Sequence, residues 1–258
     1  MKKVLYLILM ALLAAVLVYS LREIIGVTSE YQAGADSYEE LEDFVVMPAT
    51  RPTIPKHEEE AEEETTAEEP EILWPEVDFA SLSAINDDVV GWIYVPGTNI
   101  NYPIVQGSDN DYYLTHLFNG KKNSSGSIFL DYGAEGDFTS TNSVLHGHHM
   151  KNGSMFADVC DYKAQSFYEG HPTGMLLTPD GNYEIRFFSG YVCNTGEDAW
   201  NAYFAGDDYS SWLDRRIRKS YFYSPVVPTA QDRVITLSTC SYEYDDARFV
   251  LHGVLVSA

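Results

Sequence analysis

The sequence predicts a mainly β domain, a closed or nearly closed barrel of about eight short strands with peripheral helices, carried behind an N-terminal transmembrane helix. Three observations lead there. From Val89 onward, eight short apolar runs are separated by turn residues, a pattern that favours strands. Few stretches in the same region have helical spacing, and so many short strands are accommodated by closing the sheet on itself. Upstream, the composition changes twice, which divides the chain into segments 1–27, 28–73 and 74–258.

The first segment reads as a cytoplasmic N-terminus and a membrane anchor. Lys2 and Lys3 precede an uncharged run of 18 residues, Val4 to Leu21, closed by Arg22 and Glu23. At about 1.5 Å per residue this run is about 27 Å long, close to the thickness of a bilayer core. Ile24, Ile25 and Val27 extend it. The two lysines favour a cytoplasmic N-terminus and an exported remainder. A cleaved signal peptide usually has a shorter apolar stretch, about 7–15 residues, and no clean small-x-small site follows this one. The expectation is an uncleaved, single-pass anchor.

The second segment holds fifteen acidic residues against two basic ones, a net charge of −13. It contains Glu58-Glu59-Glu60, Glu62-Glu63-Glu64 and Glu68-Glu69, with prolines at 48, 52, 55 and 70. Such a stretch buries too little apolar area to offset its ordering entropy. It is expected to be a disordered, self-repelling stalk.

The third segment, 74–258, has the size of one domain. The expected strands are Val89–Tyr94, Ile100–Val105, Gly126–Leu130, Asn142–Leu145, Gly174–Thr178, Tyr183–Val192, Val234–Thr239 and Phe249–Val256. Helical stretches are expected at Phe79–Asn86 with Asp78 as cap, at Ser154–Tyr168, and at Asp207–Lys219. The last carries Trp212, Leu213 and Ile217 at helical spacing and a basic end, Arg215, Arg216, Arg218 and Lys219, suited to a helix C-terminus.

Charge and cysteine content exclude several functions. The whole chain has 39 Asp+Glu against 16 Lys+Arg, a net charge of −23, and a pI of about 4.4. A nucleic-acid binder needs a basic face, and none is expected here. Three widely spaced cysteines exclude a disulfide-stapled mini-protein and a CxxC zinc module.

Chemistry is concentrated at the ends of two apolar runs. Cys240 closes Val234–Thr239, so its thiol is held at the exit of a buried strand. A cysteine nucleophile needs a thiolate or a base to take its proton. The candidate bases are His57, His116, His146, His148, His149, His171 and His252. Three of them follow a strand together, in Leu145-His146-Gly147-His148-His149-Met150. Arg248 opens the next strand after Cys240, and a guanidinium there suits an oxyanion or a substrate carbonyl. His146 and His148, two residues apart with no nearby Cys or carboxylate ligand, make a poor metal site. No cofactor loop appears, so neither metal nor cofactor is expected. Cys160 and Cys193 read as core thiols, with a disulfide between them as the alternative. Glu243, Asp245 and Asp246 read as solvated loop acids, with orientation of His148 as the alternative.

These residues resemble a known family. Thr236-Leu237-Ser238-Thr239-Cys240 and Ala247-Arg248-Phe249-Val250 are similar to the active-site strand and arginine of sortases, and Gly147-His148 to the sortase histidine motif. Val90-Gly91-Trp92-Ile93, Tyr102-Pro103-Ile104-Val105-Gln106, Asp109-Asn110-Asp111-Tyr112-Tyr113-Leu114, Gly126-Ser127-Ile128-Phe129-Leu130-Asp131 and Gly153-Ser154-Met155-Phe156 resemble class B sortases. So does the helical insertion around Asp207–Lys219, between two late strands. The resemblance covers about residues 74–258. It implies an eight-stranded sortase β-barrel and a membrane-anchored cysteine transpeptidase of a Gram-positive bacterium. Such an enzyme cleaves a C-terminal sorting signal of a secreted protein, of Asn-x-x-Thr-x type, and holds the product as a Cys thioester. It passes that product to an amine of a peptidoglycan precursor or of a pilin. The family's catalytic residues fall on Cys240, His148 and Arg248. Its substrate groove falls on Asn110, Leu114 and Ser238, with His146 beside them where many class B enzymes carry a tyrosine. The catalytic domain is then expected on the cell-wall side of the membrane. A pilin-polymerising sortase and a hydrolytic cysteine protease using the same Cys, His and Arg are the alternative readings. A non-catalytic binding module on a stalk is disfavoured by the joint presence of all three residues.

Overall fold

The computed structural model describes residues 2–48 and 73–258. It opens with α1, Lys2–Glu42. Among the described residues this is the helix long and apolar enough to cross a membrane. Leu5, Leu7, Leu13 and Leu17 on its first half are exposed.

The helix does not stop where a stalk was expected to begin. It continues through Thr28 to Glu42 and packs on the barrel, where Tyr38 and Leu41 are buried and Tyr31 is packed beside them. Residues 31, 38 and 41 are seven and three apart, so they lie on one helical face. The acidic residues between them occupy the other faces, which is why charge counting alone misses the helix. The glutamate runs, prolines 52, 55 and 70, and His57 lie outside the described residues.

After α1, β1 (Val45–Val46) pairs with β2 (Glu76–Val77), and α2 follows at Phe79–Ile85. Asp78 caps α2, its carboxylate accepting the Ser81 N–H at 3.0 Å. The barrel strands come next: β3 Val89–Tyr94, β4 Asn101–Val105, β5 Ile128–Leu130 and β6 Asn142–His146. Then come α3 (Gln165–Gly170), β7 Thr173–Thr178, β8 Gly181–Asn194, α4 (Asp208–Lys219), β9 Arg233–Cys240 and β10 Ala247–Ser257. They form the expected closed eight-stranded barrel, in the order β10-β8-β7-β3-β4-β5-β6-β9. All pairings are antiparallel except β4 with β5 and β6 with β9. Closure leaves no free edge, and Trp92, Ile93, Ile104, Phe129, Leu237 and Leu251 belong to the core.

One expected helix is broken. Ser154–Tyr168 resolves into a 3-10 turn at Ala157–Lys163 and α3, separated by Ala164 in an extended conformation. Tertiary contacts override helical spacing here. Val159 and Tyr162, three apart, are both fully buried, and the three-residue period of a 3-10 turn stacks them on one face.

The insertion helix α4 buries Tyr209, Trp212, Leu213 and Arg216. Its basic end does more than complement a helix dipole. Arg216 is 1% exposed and donates to Asp198 at 2.5 Å and to the Tyr191 hydroxyl at 2.6 Å. Arg215 also donates to Asp198, at 2.8 Å, and Lys219 pairs with Glu197. Through these pairs α4 fastens the loop that follows β8.

Candidate active site

Two strand pairings bring the candidate residues together. In the antiparallel pair β9–β10, Arg248 is directly opposite Cys240. In the parallel pair β6–β9, His146 is beside Ser238. The Gly147 N–H then donates to the Ser238 carbonyl at 3.1 Å, extending the pairing past the end of β6. Two residues beyond the His146–Ser238 pair, the two chains carry His148 and Cys240. Gly147 has to be glycine, since a Cβ there would lie 2.5 Å from Ile128 and 2.6 Å from Phe156.

The three neighbouring histidines have three different partners. His148 Nε2 is 2.7 Å from the Leu114 carbonyl oxygen. A carbonyl only accepts, so Nε2 carries a proton, and in the neutral form of the ring Nδ1 is the nitrogen with the lone pair for proton transfer. His149 Nδ1 is 3.2 Å from the Cys240 carbonyl and 3.4 Å from Cys160 Sγ, which braces the backbone of the candidate nucleophile. His146 Nε2 is 3.1 Å from Asp131 Oδ2. Asn110 donates to the same oxygen at 2.8 Å, and the Gly133 N–H donates to Oδ1 at 2.9 Å. Burial pushes the Asp131 carboxyl up, but the hydrogen bonds from His146, Gly133 and Asn110 together hold it below the usual aspartate value.

A cleft of about 270 Å³ runs beside this arrangement. Asn110, Leu114, His146, Ser238 and Arg248, all picked out from the sequence, line it. Cys240 and His148 are half-buried and do not form its wall. Cys240 adjoins it through its neighbours Arg248 and Ser238. Phe129, Thr195 and Trp200 complete the lining and were not foreseen. Trp200 lies in the 3-10 turn Asp198–Trp200 after β8, and its indole N–H donates to Ser238 Oγ at 2.9 Å. A single tryptophan outside any periodic run gives no signal in the sequence.

The other candidates fall elsewhere. Glu243 pairs with Lys163 at 2.5 Å and accepts from the Ser241 hydroxyl. Burial opposes its ionisation, but Lys163 and Ser241 outweigh that and bring its carboxyl down to about 2. It is thus engaged with Lys163 and Ser241. His252 is buried in the core against Thr236 and Tyr191, and His171 bonds the Phe167 carbonyl. All three cysteines are free thiols. Burial pushes the Cys160 thiol up to about 11 and the Cys193 thiol up to about 12. Only Cys240 reaches the surface appreciably. Among the described residues, no three His, Cys, Asp or Glu side chains group as a metal site.

No family model matches the chain. Curated proteins and solved structures do. The chain is 38% identical over 183 residues to Sortase B of Listeria monocytogenes, covering 70% of this chain and 74% of that protein. It is 40% identical over 169 residues to Sortase B of Staphylococcus aureus, covering 65% of this chain and 69% of that protein. The chain belongs to the sortase B family. The 2.0 Å crystal structure of Staphylococcus aureus Sortase B matches with a TM-score of 0.67 at 38% identity, covering 70% of this chain and 87% of that one. The Staphylococcus aureus sortase B–substrate complex matches with the same TM-score, covering 70% of this chain and 85% of that one. The closed barrel is thus a sortase B barrel, and the chain is a cysteine transpeptidase. Of its three thiols, Cys160 and Cys193 are buried and Cys240 is partly exposed.

Proposed function

We propose that this sortase B is tethered to the membrane by the first half of α1, with the barrel on the cell-wall side. Its substrates are secreted proteins that end in an Asn-x-x-Thr-x sorting signal. The peptide lies along the cleft beside Asn110, Leu114, His146 and Ser238. The Cys240 thiol passes its proton to Nδ1 of His148 as its sulfur attacks the carbonyl carbon of the threonine, and Arg248 stabilises the oxyanion that forms. His148 gives a proton to the departing amine as the C–N bond breaks, which leaves a thioester on Cys240. An amine of a peptidoglycan precursor then attacks the thioester. His148 takes its proton, the C–S bond breaks, and a new amide links the protein to the wall.

The observation that supports this assignment most is the opposition of Arg248 and Cys240 across β9 and β10 at the edge of the cleft. Residues directly opposite on antiparallel strands project to the same side of a sheet. Intact mass spectrometry of the full chain in detergent, mixed with Asn-x-x-Thr-x peptides, tests it. An acyl adduct on Cys240 that is converted to a peptide–amine product on adding an acceptor is the expected result. An adduct released only to water, whatever the amine, would make the enzyme a hydrolase. An adduct that survives Cys240→Ala would refute the role of Cys240, and no adduct with any such peptide would refute the Asn-x-x-Thr-x sorting signal.

A further inference from the structure

The docked half of α1 reaches the histidine loop by two separate routes, and both start at Tyr38. On the first route, the Tyr38 hydroxyl donates to the Gly126 carbonyl at 2.5 Å and lies 3.0 Å from Ser127 Oγ. The Ser127 N–H donates to the Tyr113 carbonyl at 2.9 Å. Gly126 sits at φ +56°, so close to this segment that a Cβ would lie 2.5 Å from the Tyr113 oxygen and 2.8 Å from the Leu114 oxygen. That Leu114 oxygen is the one that receives His148 Nε2–H at 2.7 Å.

On the second route, the Tyr38 ring meets Tyr102 edge-on at 5.3 Å. The Tyr102 hydroxyl accepts the Met155 N–H at 2.9 Å. Met155 bridges to His149, and the next N–H, Phe156, donates to the His148 carbonyl at 2.9 Å. One route therefore sets the partner of the imidazole, and the other sets the backbone that carries it. Tyr38 is 6% exposed and is not among the residues that line the cleft, so it has no direct part in the chemistry.

The seat of the helix is specific. Asn123 donates to the Glu30 carbonyl at 2.9 Å, and the Ser124 N–H donates to the Glu30 carboxylate at 2.8 Å. At Gly34 the helix approaches so closely that a Cβ would lie 2.8 Å from Ser125 Oγ.

We infer that Tyr38 is a positioning residue: through Gly126–Leu114 and Tyr102–Met155 it lets the docked helix hold His148 in its Nε2–H form. The inference rests on His148 being the proton-transfer group of the proposed reaction. It makes activity depend on the tether as well as on the barrel, since a helix pulled off its seat would loosen the base.

The test uses the full chain in detergent, as wild type, Tyr38→Phe, Tyr38→Ala and Gly34→Leu. Gly34→Leu lifts the helix without altering Tyr38. Two quantities are read: kcat/KM for acylation against pH, and the ¹⁵N spectrum of the His148 ring, which reports its tautomer independently of catalysis. Tyr38→Ala and Gly34→Leu are expected to lower kcat/KM by about tenfold to a hundredfold, the scale of small misplacements of a catalytic group. They should also displace the pH profile and populate the Nδ1–H tautomer. Tyr38→Phe keeps the ring and should fall between them and wild type. An unchanged His148 spectrum and pH profile in both Tyr38→Ala and Gly34→Leu would overturn the inference. If His148→Ala kept full acylation, the role of His148 would fall instead, and the ring spectrum would still decide whether Tyr38 controls it.

Discussion

Arg248 stands directly opposite Cys240 across β9 and β10, so the guanidinium and the thiol leave the sheet on the same side. Arg248 donates to its own neighbour, the Ala247 carbonyl, at 3.1 Å, which leaves further N–H groups free toward the cleft. Arg248→Ala is expected to lower kcat/KM for peptide cleavage by about 10²–10³-fold, the loss typical of an oxyanion donor. Arg248→Lys should recover only part of it, because an ammonium lacks the planar fork. Equal activity of Arg248→Ala and wild type in a fluorogenic peptide assay would remove Arg248 from the reaction.

The partners of the three histidines separate their roles. His148→Ala should lose about 10²–10⁴-fold in kcat, as expected for a general acid–base. His146 lines the cleft and is tied to Asp131, so His146→Ala should act mainly on KM. A steady-state comparison in which His146→Ala is the more damaging in kcat would exchange the two assignments.

Thiol reactivity should follow burial. Cys160 and Cys193 are buried, with thiols raised to about 11 and about 12. A short pulse of iodoacetamide near neutral pH should therefore label Cys240 in the native enzyme, and all three cysteines after denaturation. Peptide mapping that finds Cys160 or Cys193 labelled as fast as Cys240 would contradict this burial pattern.

His252 should make the barrel acid-sensitive. It is fully buried between Thr236 and Tyr191, and burial first, then the Arg216 charge, hold its pKa well below the usual histidine value against the opposing effect of Asp198. In the unfolded chain it takes up a proton near pH 6.5, whereas in the folded barrel it does not. Stability from this group is therefore complete above about pH 6.5 and falls as the pH drops below that, by up to about 1.4 kcal/mol per pH unit. Urea unfolding at a series of pH values should show a shallower acid slope for His252→Gln than for wild type, with the two slopes converging above pH 6.5. Parallel slopes throughout would assign the acid sensitivity to other groups.

The strands were legible in the order of residues, because each is an apolar run closed by turn residues, and eight such runs built the barrel. That order also marked Cys240 and Arg248 as the two ends of one strand–loop–strand unit, a local relationship that spacing expresses. The resemblance to sortases added the groove residues, and Asn110, Leu114, His146 and Ser238 do line one cleft. The docking of α1 past Thr28 was hidden, because three apolar residues on one helical face are outnumbered by acidic neighbours in any composition count. The Asp131–His146 and Trp200–Ser238 contacts were likewise without signal, since the partners are 15 and 38 positions apart. Which of three adjacent imidazoles meets Leu114, which braces Cys240 and which pairs with Asp131 is set by contacts between distant segments. A hydrogen bond depends on distance in space, and the parallel β6–β9 pairing that sets those distances joins segments about ninety residues apart.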